Sequence, residues 1–354
     1  MRAGTIDTKR VRLYDYVDVL LGRGQDKDRR MEAAVRREAE TSVVILAEPG
    51  KQVTWQDFLE QYAAPAISLD GHCRAPTLFS PDKRHINLNH HGRREHDGIA
   101  VLATCAQALR LVRDAHLFLS PIYLRGGRPC CKVWINDCDQ DVCLATFILR
   151  NPSLVNRPKL HQLVSIEERL DTTAGLLVLD NDETEMLGEV AWIFDPYAQA
   201  RISGDLVHAS PEDMLRIIDE VHGRIRCSLF GRQQRIRPDR RFEDLVLPRP
   251  EAFAVVRELG VFARLKMAEE GILAYAVLKA EHDGTYHWSL GKASPFIPMD
   301  LGTVYDVCNR IEGIAEGDSD RWGGSRNRGG SPRIRGSKLS PDELAAIIDE
   351  AICR

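Results

Sequence analysis

The segment 132–149 reads KVWINDCDQDVCLATFIL, an apolar strand-like run that passes through three alternating carboxylates straight into an apolar helical run. Shorter β-rich runs at Ser42 to Ala47, Ala66 to Leu69 and His85 to Leu88 also end near polar residues. Helical patterns are read at Ile99 to Val112, Val142 to Leu149, Leu160 to Leu170, Glu189 to Ala200 and Pro211 to Leu229. Thr54 with Asp57 marks a further helix start, and Ser210 is the cap expected before Pro211. Strands and helices that alternate over the first 230 residues predict an α/β domain, a mostly parallel sheet with helices on both faces.

The pattern changes at Gly231 to Pro250, an Arg-rich, Pro-bounded stretch with no consistent period. This predicts a metal-binding α/β catalytic domain over 1–231, a linker over 232–250 and a smaller α+β substrate-binding domain over 251–354. In the last of these a helix is expected from Glu251 to Leu259, and strands over Phe262 to Met267, Ile272 to Ala280 and Thr285 to Leu290. The HDG at 282–284 supplies a hairpin turn. A short helix, a Gly-rich loop and a final helix capped by Ser340 complete the chain.

The 354 residues suit two domains. Lys and Arg number 48 against 52 Asp and Glu, a near balance that excludes a protein whose whole surface attracts polyanions. No long nucleic acid is expected as a partner; a small anionic substrate is, and a homodimer is compatible with the chain. No apolar run approaches the ~18 residues needed to span a bilayer, and Arg2, Asp7, Lys9, Arg10 and Arg12 interrupt the start. The expectation is a cytoplasmic protein with no membrane contact. Nine cysteines without a CxxC fit reduced, packed thiols better than a zinc ribbon or a disulfide framework.

Candidate chemistry collects at the strand ends. In an extended tip Asp137, Asp139 and Asp141 would point to one side, at the carboxyl end of a parallel strand where open α/β sheets bind ligands. Three such carboxylates repel one another unless a cation neutralises them, so a divalent metal is the natural counterpart. The plainer alternative is a solvated turn with Asp141 capping the helix. A second strand end carries Asn89, His90, His91 and Gly92; one imidazole could ligate while the other binds substrate or moves a proton. Mixed imidazole and carboxylate ligation suits Mn²⁺, Fe²⁺ or Zn²⁺. A third, LDGH, offers Asp70 and His72, and Asp171 in RLDTTAG is a fourth acid, a weaker candidate because it could end a helix.

These residues resemble the DHH phosphoesterase superfamily, whose members join an α/β domain holding a dinuclear Mn²⁺ site to a smaller domain with a Gly-rich substrate loop. NHHG at 89–92 is similar to the DHH signature with Asn89 in place of its Asp, and DCDQDV at 137–142 to the HxDxDG motif. The resemblance implies that His90 is a metal ligand and that His91 contacts phosphate or assists proton transfer. It also implies that Asp139 and Asp141 are metal-binding acids, with Asp137 and Val142 in place of the family's His and Gly. The order is reversed: here the histidines come first, nearly fifty residues before the acids. A circular permutation reconciles this, with Asp70 as the family's lone motif Asp some twenty residues before the His pair.

Residues 321–340, RWGGSRNRGGSPRIRGSKLS, add Gly pairs that let a backbone approach a ligand and arginines that can grip an oxyanion. Arg326, Arg328, Gly329, Gly330, Arg333 and Arg335 are the substrate-binding candidates, although the His common in the family's loop is absent and a flexible basic loop has the same composition. The expected protein is a metal-dependent hydrolase, a phosphoesterase acting on a phosphorylated small molecule or short nucleotide. Two Mn²⁺ ions are held by Asp137, Asp139, Asp141, His90 and Asp70 or Asp171, with His72 a further ligand and His91 and Asp137 catalytic. A C–N hydrolase of amidohydrolase or ureohydrolase type, and a non-catalytic ligand-binding protein with a degenerate site, are the alternatives.

Overall fold

Six short strands build the first sheet: β1 (Ser42–Ala47), β2 (Ala66–Leu69), β3 (Leu78–Ser80), β4 (His85–Leu88), β5 (Leu124–Arg125) and β6 (Arg128–Ile135). A computed structural model describes residues 42–90, 102–114, 124–125, 128–250, 253–318 and 320–352. The sheet order is β1-β6-β2-β4-β3, with β5 on β6. β1, β6, β2 and β4 run parallel, with Ile45 and Ile67 both level with Val133 and Ile67 level with Ile86; β3 returns antiparallel on β4. Every residue of β2 and β4 is buried, as central parallel strands require.

The helices of the first half are α1 (Trp55–Gln61), α2 (Thr104–Arg113), α3 (Gln140–Arg150), α4 (Pro158–Thr172), α5 (Asn181–Ser203) and α6 (Pro211–Leu229). Thr54 and Ser210 close capping boxes with Asp57 and Asp213, so two orphan N–H groups are satisfied at each start. Asp180 does the same for α5, which begins eight residues before the apolar pattern at Glu189. α3 packs on α2, α6, β1 and β6, and all nine residues from Asp141 to Leu149 are buried. A helix apolar on every side belongs inside, and α3 is the inner helix of this unit.

The second sheet takes β7 (Phe242–Asp244), β8 (Ala254–Glu258), β9 (Ala274–His282), β10 (Thr285–Lys292), β11 (Gly323–Gly324) and β12 (Arg328–Gly330), in the order β11-β12-β10-β9-β8-β7. Its helices are α7 (Ala263–Glu269), α8 (Leu301–Ile311) and α9 (Pro341–Ile352). β8 and β9 are parallel, joined by α7, and the other pairs are antiparallel. Alternation sorts the side chains into two cores. Phe253, Val255, Ala276, Leu278, Trp288 and Leu290 pack with α8 and α9. Ala254, Val256, Tyr275 and Val277 face Ala263 and Met267 of α7 and the segment at Ala174 and Leu176.

Two elements differ from expectation. The helix expected from Glu251 to Leu259 is strand β8, because Ala254, Val255 and Val256 are buried on alternate faces in register with β9. The strand expected over Phe262 to Met267 is α7, whose good helix formers place Ala263 and Met267 one turn apart on the buried side. The HDG turn stands as read: Asp283 and Gly284 both have positive φ, the type I′ pattern of a two-residue hairpin.

By their contacts the residues form two units. One holds the described residues up to His90, Leu102–Glu168 and Ala209–Gln233; the other holds Arg169–His208 and Gln234 onward. Residues 169–208, assigned from sequence to the N-terminal domain, therefore belong with the C-terminal sheet. The expected linker is also part of that unit, since β7 pairs with β8 and the Ile236 N–H donates to the Gly188 carbonyl at 3.0 Å. No helix among the described residues is long and apolar enough to cross a membrane. The eight described cysteines are free, six of them buried.

Candidate metal centre

Parallel strands bring their carboxyl ends to one edge of a sheet, and in the first unit Glu48, Asp70, Asn89 and Asn136 follow β1, β2, β4 and β6 there. β2 ends in a tight turn closed by the His72 N–H donating to the Leu69 carbonyl at 3.1 Å. Both central residues have positive φ, Asp70 at 43° and Gly71 at 81°. Asp tolerates this conformation better than most residues, and Gly adopts it freely. The turn leaves Asp70 at the sheet edge, its N–H still donating to the Leu88 carbonyl at 2.9 Å.

Asp70, His90 and Asp141 each present a ligand atom, and the three atoms lie within 4.8 Å of one another. His90 Nε2 is 3.2 Å from Asp70 Oδ1, with side chains only 10% and 5% exposed. The Thr104 hydroxyl donates to Asp70 Oδ1 at 3.2 Å. Asp141 is fixed more firmly: its Oδ2 accepts from the Thr104 N–H at 2.8 Å and its Oδ1 from the Cys105 N–H at 2.7 Å. Ala103, at the N-cap of α2, offers no side-chain bond, so an acid from the first turn of α3 caps α2 from another element. Each oxygen of a carboxylate has two lone pairs, so these bonds leave acceptor capacity for a cation. Two nearly buried acids and an imidazole suit a divalent ion of Mn²⁺, Fe²⁺ or Zn²⁺ type.

The other proposed ligands stand elsewhere. Because the helix begins at Gln140, Asp137, Asp139 and Asp141 do not share a face as an extended tip would make them. Asp137 is exposed and Asp139 is the N-cap of α3, accepting from the Val142 N–H at 3.0 Å. Asp171 pairs with Arg328 at 3.3 Å in the second unit. His72 lies in an aromatic nest, stacked on Trp134 and edge-on to Tyr62, with Nε2 2.8 Å from Glu48 Oε2 and Nδ1 3.3 Å from Ser68 Oγ. Burial lowers its pKa, with Glu48 opposing, and the neutral ring donates to Glu48. His91 lies outside the described residues.

Asn89, where the DHH signature has Asp, is 2% exposed and donates through Nδ2 to the carbonyls of Cys73 at 3.2 Å and Ala75 at 2.8 Å. An amide can donate in this way, whereas a carboxylate would set oxygen against oxygen. Asn87 does the same toward Ala75 and Pro76.

Glu48 was missed from sequence. It follows β1 as Asp70 follows β2, and position after a β-run was the available signal. Burial opposes its ionisation, but hydrogen bonds from Lys51, Tyr62 and His72 outweigh this and lower its pKa. The Lys51 ammonium, 2.6 Å away, is raised to about 12.

In the Gly/Arg segment the glycines serve packing. A Cβ on Gly329 would strike the Tyr305 hydroxyl, and one on Gly330 the Trp288 carbonyl. Arg335 is held by Asp318 at 2.5 Å and Asp320 at 3.4 Å, and Arg326 and Arg333 are exposed. The candidates assembled from sequence as one substrate loop thus have separate surroundings. No protein-family model matches the chain, and no curated protein matches it in sequence.

Proposed function

We propose that the protein is a metal-dependent hydrolase in which Asp70, His90 and Asp141 hold a divalent cation of Mn²⁺ type and the substrate is a small phosphoester. The convergence of these three ligand atoms at the carboxyl edge of a parallel sheet carries the reading. The likeness of 89–92 and 137–142 to the DHH motifs supports the choice of bond. The proposed site has one group of three ligands among the described residues, so one ion is assigned rather than the two expected from sequence. Free thiols fit the cytoplasm as its location.

A cation there supplies Lewis acidity toward a phosphoryl oxygen and a more acidic water. The chain's own residues hold that geometry: the turn at Asp70 and Gly71 aims one acid, the Thr104 hydroxyl orients it, and the N-terminus of α2 orients the other. Preorganised ligands need little rearrangement as charge develops.

Asp70→Asn tests this while keeping the positive φ, since Asn tolerates it equally. With bis(p-nitrophenyl) phosphate and Mn²⁺, the wild type is expected to turn over. The variant, folded by circular dichroism, should lose about a hundredfold or more, on the scale of removing an electrostatic catalyst. Turnover of amides or guanidines alone would move the protein to the C–N hydrolases, and undiminished activity in the variant would remove the site.

A further inference from the structure

The turn that aims Asp70 is held at its far end by a side chain. Asp70 and Gly71, at φ 43° and 81°, are its two central residues, and His72 is the last. A residue other than glycine keeps a positive φ only where its surroundings fix the turn around it. Leu69, the first residue, is fully buried in β2. His72 leaves the turn into the aromatic nest, its ring edge-on to Tyr62 and Phe58 at centroid distances of 5.4 and 6.1 Å.

The bonds of that ring run across the sheet. β6 stands between β1 and β2, and Leu46, Trp134 and Ser68 are level on the three strands, a row that shares one face. Glu48 is two residues beyond Leu46, and its Oε2 meets His72 Nε2 at 2.8 Å and the Tyr62 hydroxyl at 2.6 Å. Ser68 Oγ lies 3.3 Å from Nδ1, so the tautomer that donates to Glu48 accepts from Ser68. The Glu48 N–H donates to the Ile135 carbonyl at 2.9 Å, which anchors the acid to the end of β6. A buried imidazole in this nest does not require a carboxylate. His85, edge-on to the same Phe58, meets the main-chain carbonyls of Lys83 and Tyr62 instead. At His72 the partner is an acid, and that histidine stands two places after Asp70.

We propose that Glu48 is a positioning residue for Asp70 that acts through His72: the carboxylate fixes the imidazole, and the imidazole fixes the turn that presents Asp70 to a cation. The part played by the cation rests on the proposed metal centre; the hold on the turn does not. Glu48 is outside the convergent group of three, and its Oε2 is engaged by His72 and Tyr62. Main-chain bonding also holds His72, whose carbonyl accepts from the Val53 N–H at 2.9 Å, so loss of Glu48 loosens the turn without abolishing it.

Amide hydrogen exchange and Mn²⁺ affinity, both measured on the full chain, test this. In EDTA the amides of Asp70 and His72, which donate to the Leu88 and Leu69 carbonyls, should exchange about tenfold faster in Glu48→Ala than in wild type, while those of α3 stay unchanged. Mn²⁺ binding, followed by the electron paramagnetic resonance of the free ion, should weaken about tenfold. Glu48→Gln, whose amide oxygen can accept both bonds, should restore both readouts. Lys51→Ala, which removes only the donor to Oε1, should match wild type. His72→Phe keeps the nest filled and should repeat the Glu48→Ala result. Unchanged exchange at the two amides in folded Glu48→Ala and His72→Phe, undiminished Mn²⁺ binding by Glu48→Ala, or a Glu48→Gln that behaves as Glu48→Ala would each overturn the proposal. Faster exchange at the turn in a protein whose wild type takes no Mn²⁺ would uphold the role of Glu48 and remove the metal reading.

Discussion

The two units handle dense charge in opposite ways. In the first, Asp141 is clamped by two backbone N–H groups and Asp70 by a hydroxyl, so dipoles and neutral donors orient the acids. In the second, side chains of opposite sign do the work: Glu258 pairs with Arg201 and Arg264, and Asp171 with Arg328. Backbone dipoles fix a carboxylate without neutralising it, which is what the proposed cation site requires. Ion pairing, by contrast, sets each charge directly against its opposite. The contrast lies in what compensates each charge.

Asp141→Ala should break the first half of this comparison most severely. It removes a trans cap from α2 and leaves two buried N–H donors unmet, at a cost of about 3 kcal/mol by chemical denaturation. Equal stability would show that α2 does not depend on it. Asn89→Asp should cost about 2 kcal/mol at neutral pH, because a carboxylate would then face two carbonyls. A neutral or stabilising result would indicate that Asn89 stands in for a ligand.

The same unit holds a buried base. His222, 5% exposed, lies beside the Thr146 hydroxyl and the Cys143 carbonyl, and burial with the nearby Arg150 lowers it to about 3 despite that carbonyl. Its folded pKa is below the unfolded 6.5, so its contribution is complete above pH 6.5 and is lost as pH falls toward 3. Stability should drop by about 2 kcal/mol between pH 6.5 and 5 from this group. His222→Gln should flatten that slope, and an unchanged slope would place the acid sensitivity elsewhere.

Much of the first sheet was legible because strands such as Ser42–Ala47 and Ala66–Leu69 are largely apolar runs bounded by turn residues. The exchange of β8 and α7 was not, since AVVRE and ARLKMAE are too short for periodicity to separate strand from helix. At the site, Asp70 and His90 were found by position after a strand. His72 was grouped with them by spacing, but a positive-φ turn sends it to Glu48 instead. Sequence spacing carries no information about which acid meets a distant helix end, so the bonds from Thr104 and Cys105 to Asp141 were invisible. Gly329 and Gly330 looked like a ligand cradle because close packing and close ligand approach both require glycine.

Mn²⁺ soaked into crystals of the full chain tests the central claim most directly. An anomalous peak within about 2.0–2.3 Å of Asp70, His90 and Asp141 together is the expected result. A peak shared by other acids while these three keep their present bonds, or none at a saturating concentration, would contradict it.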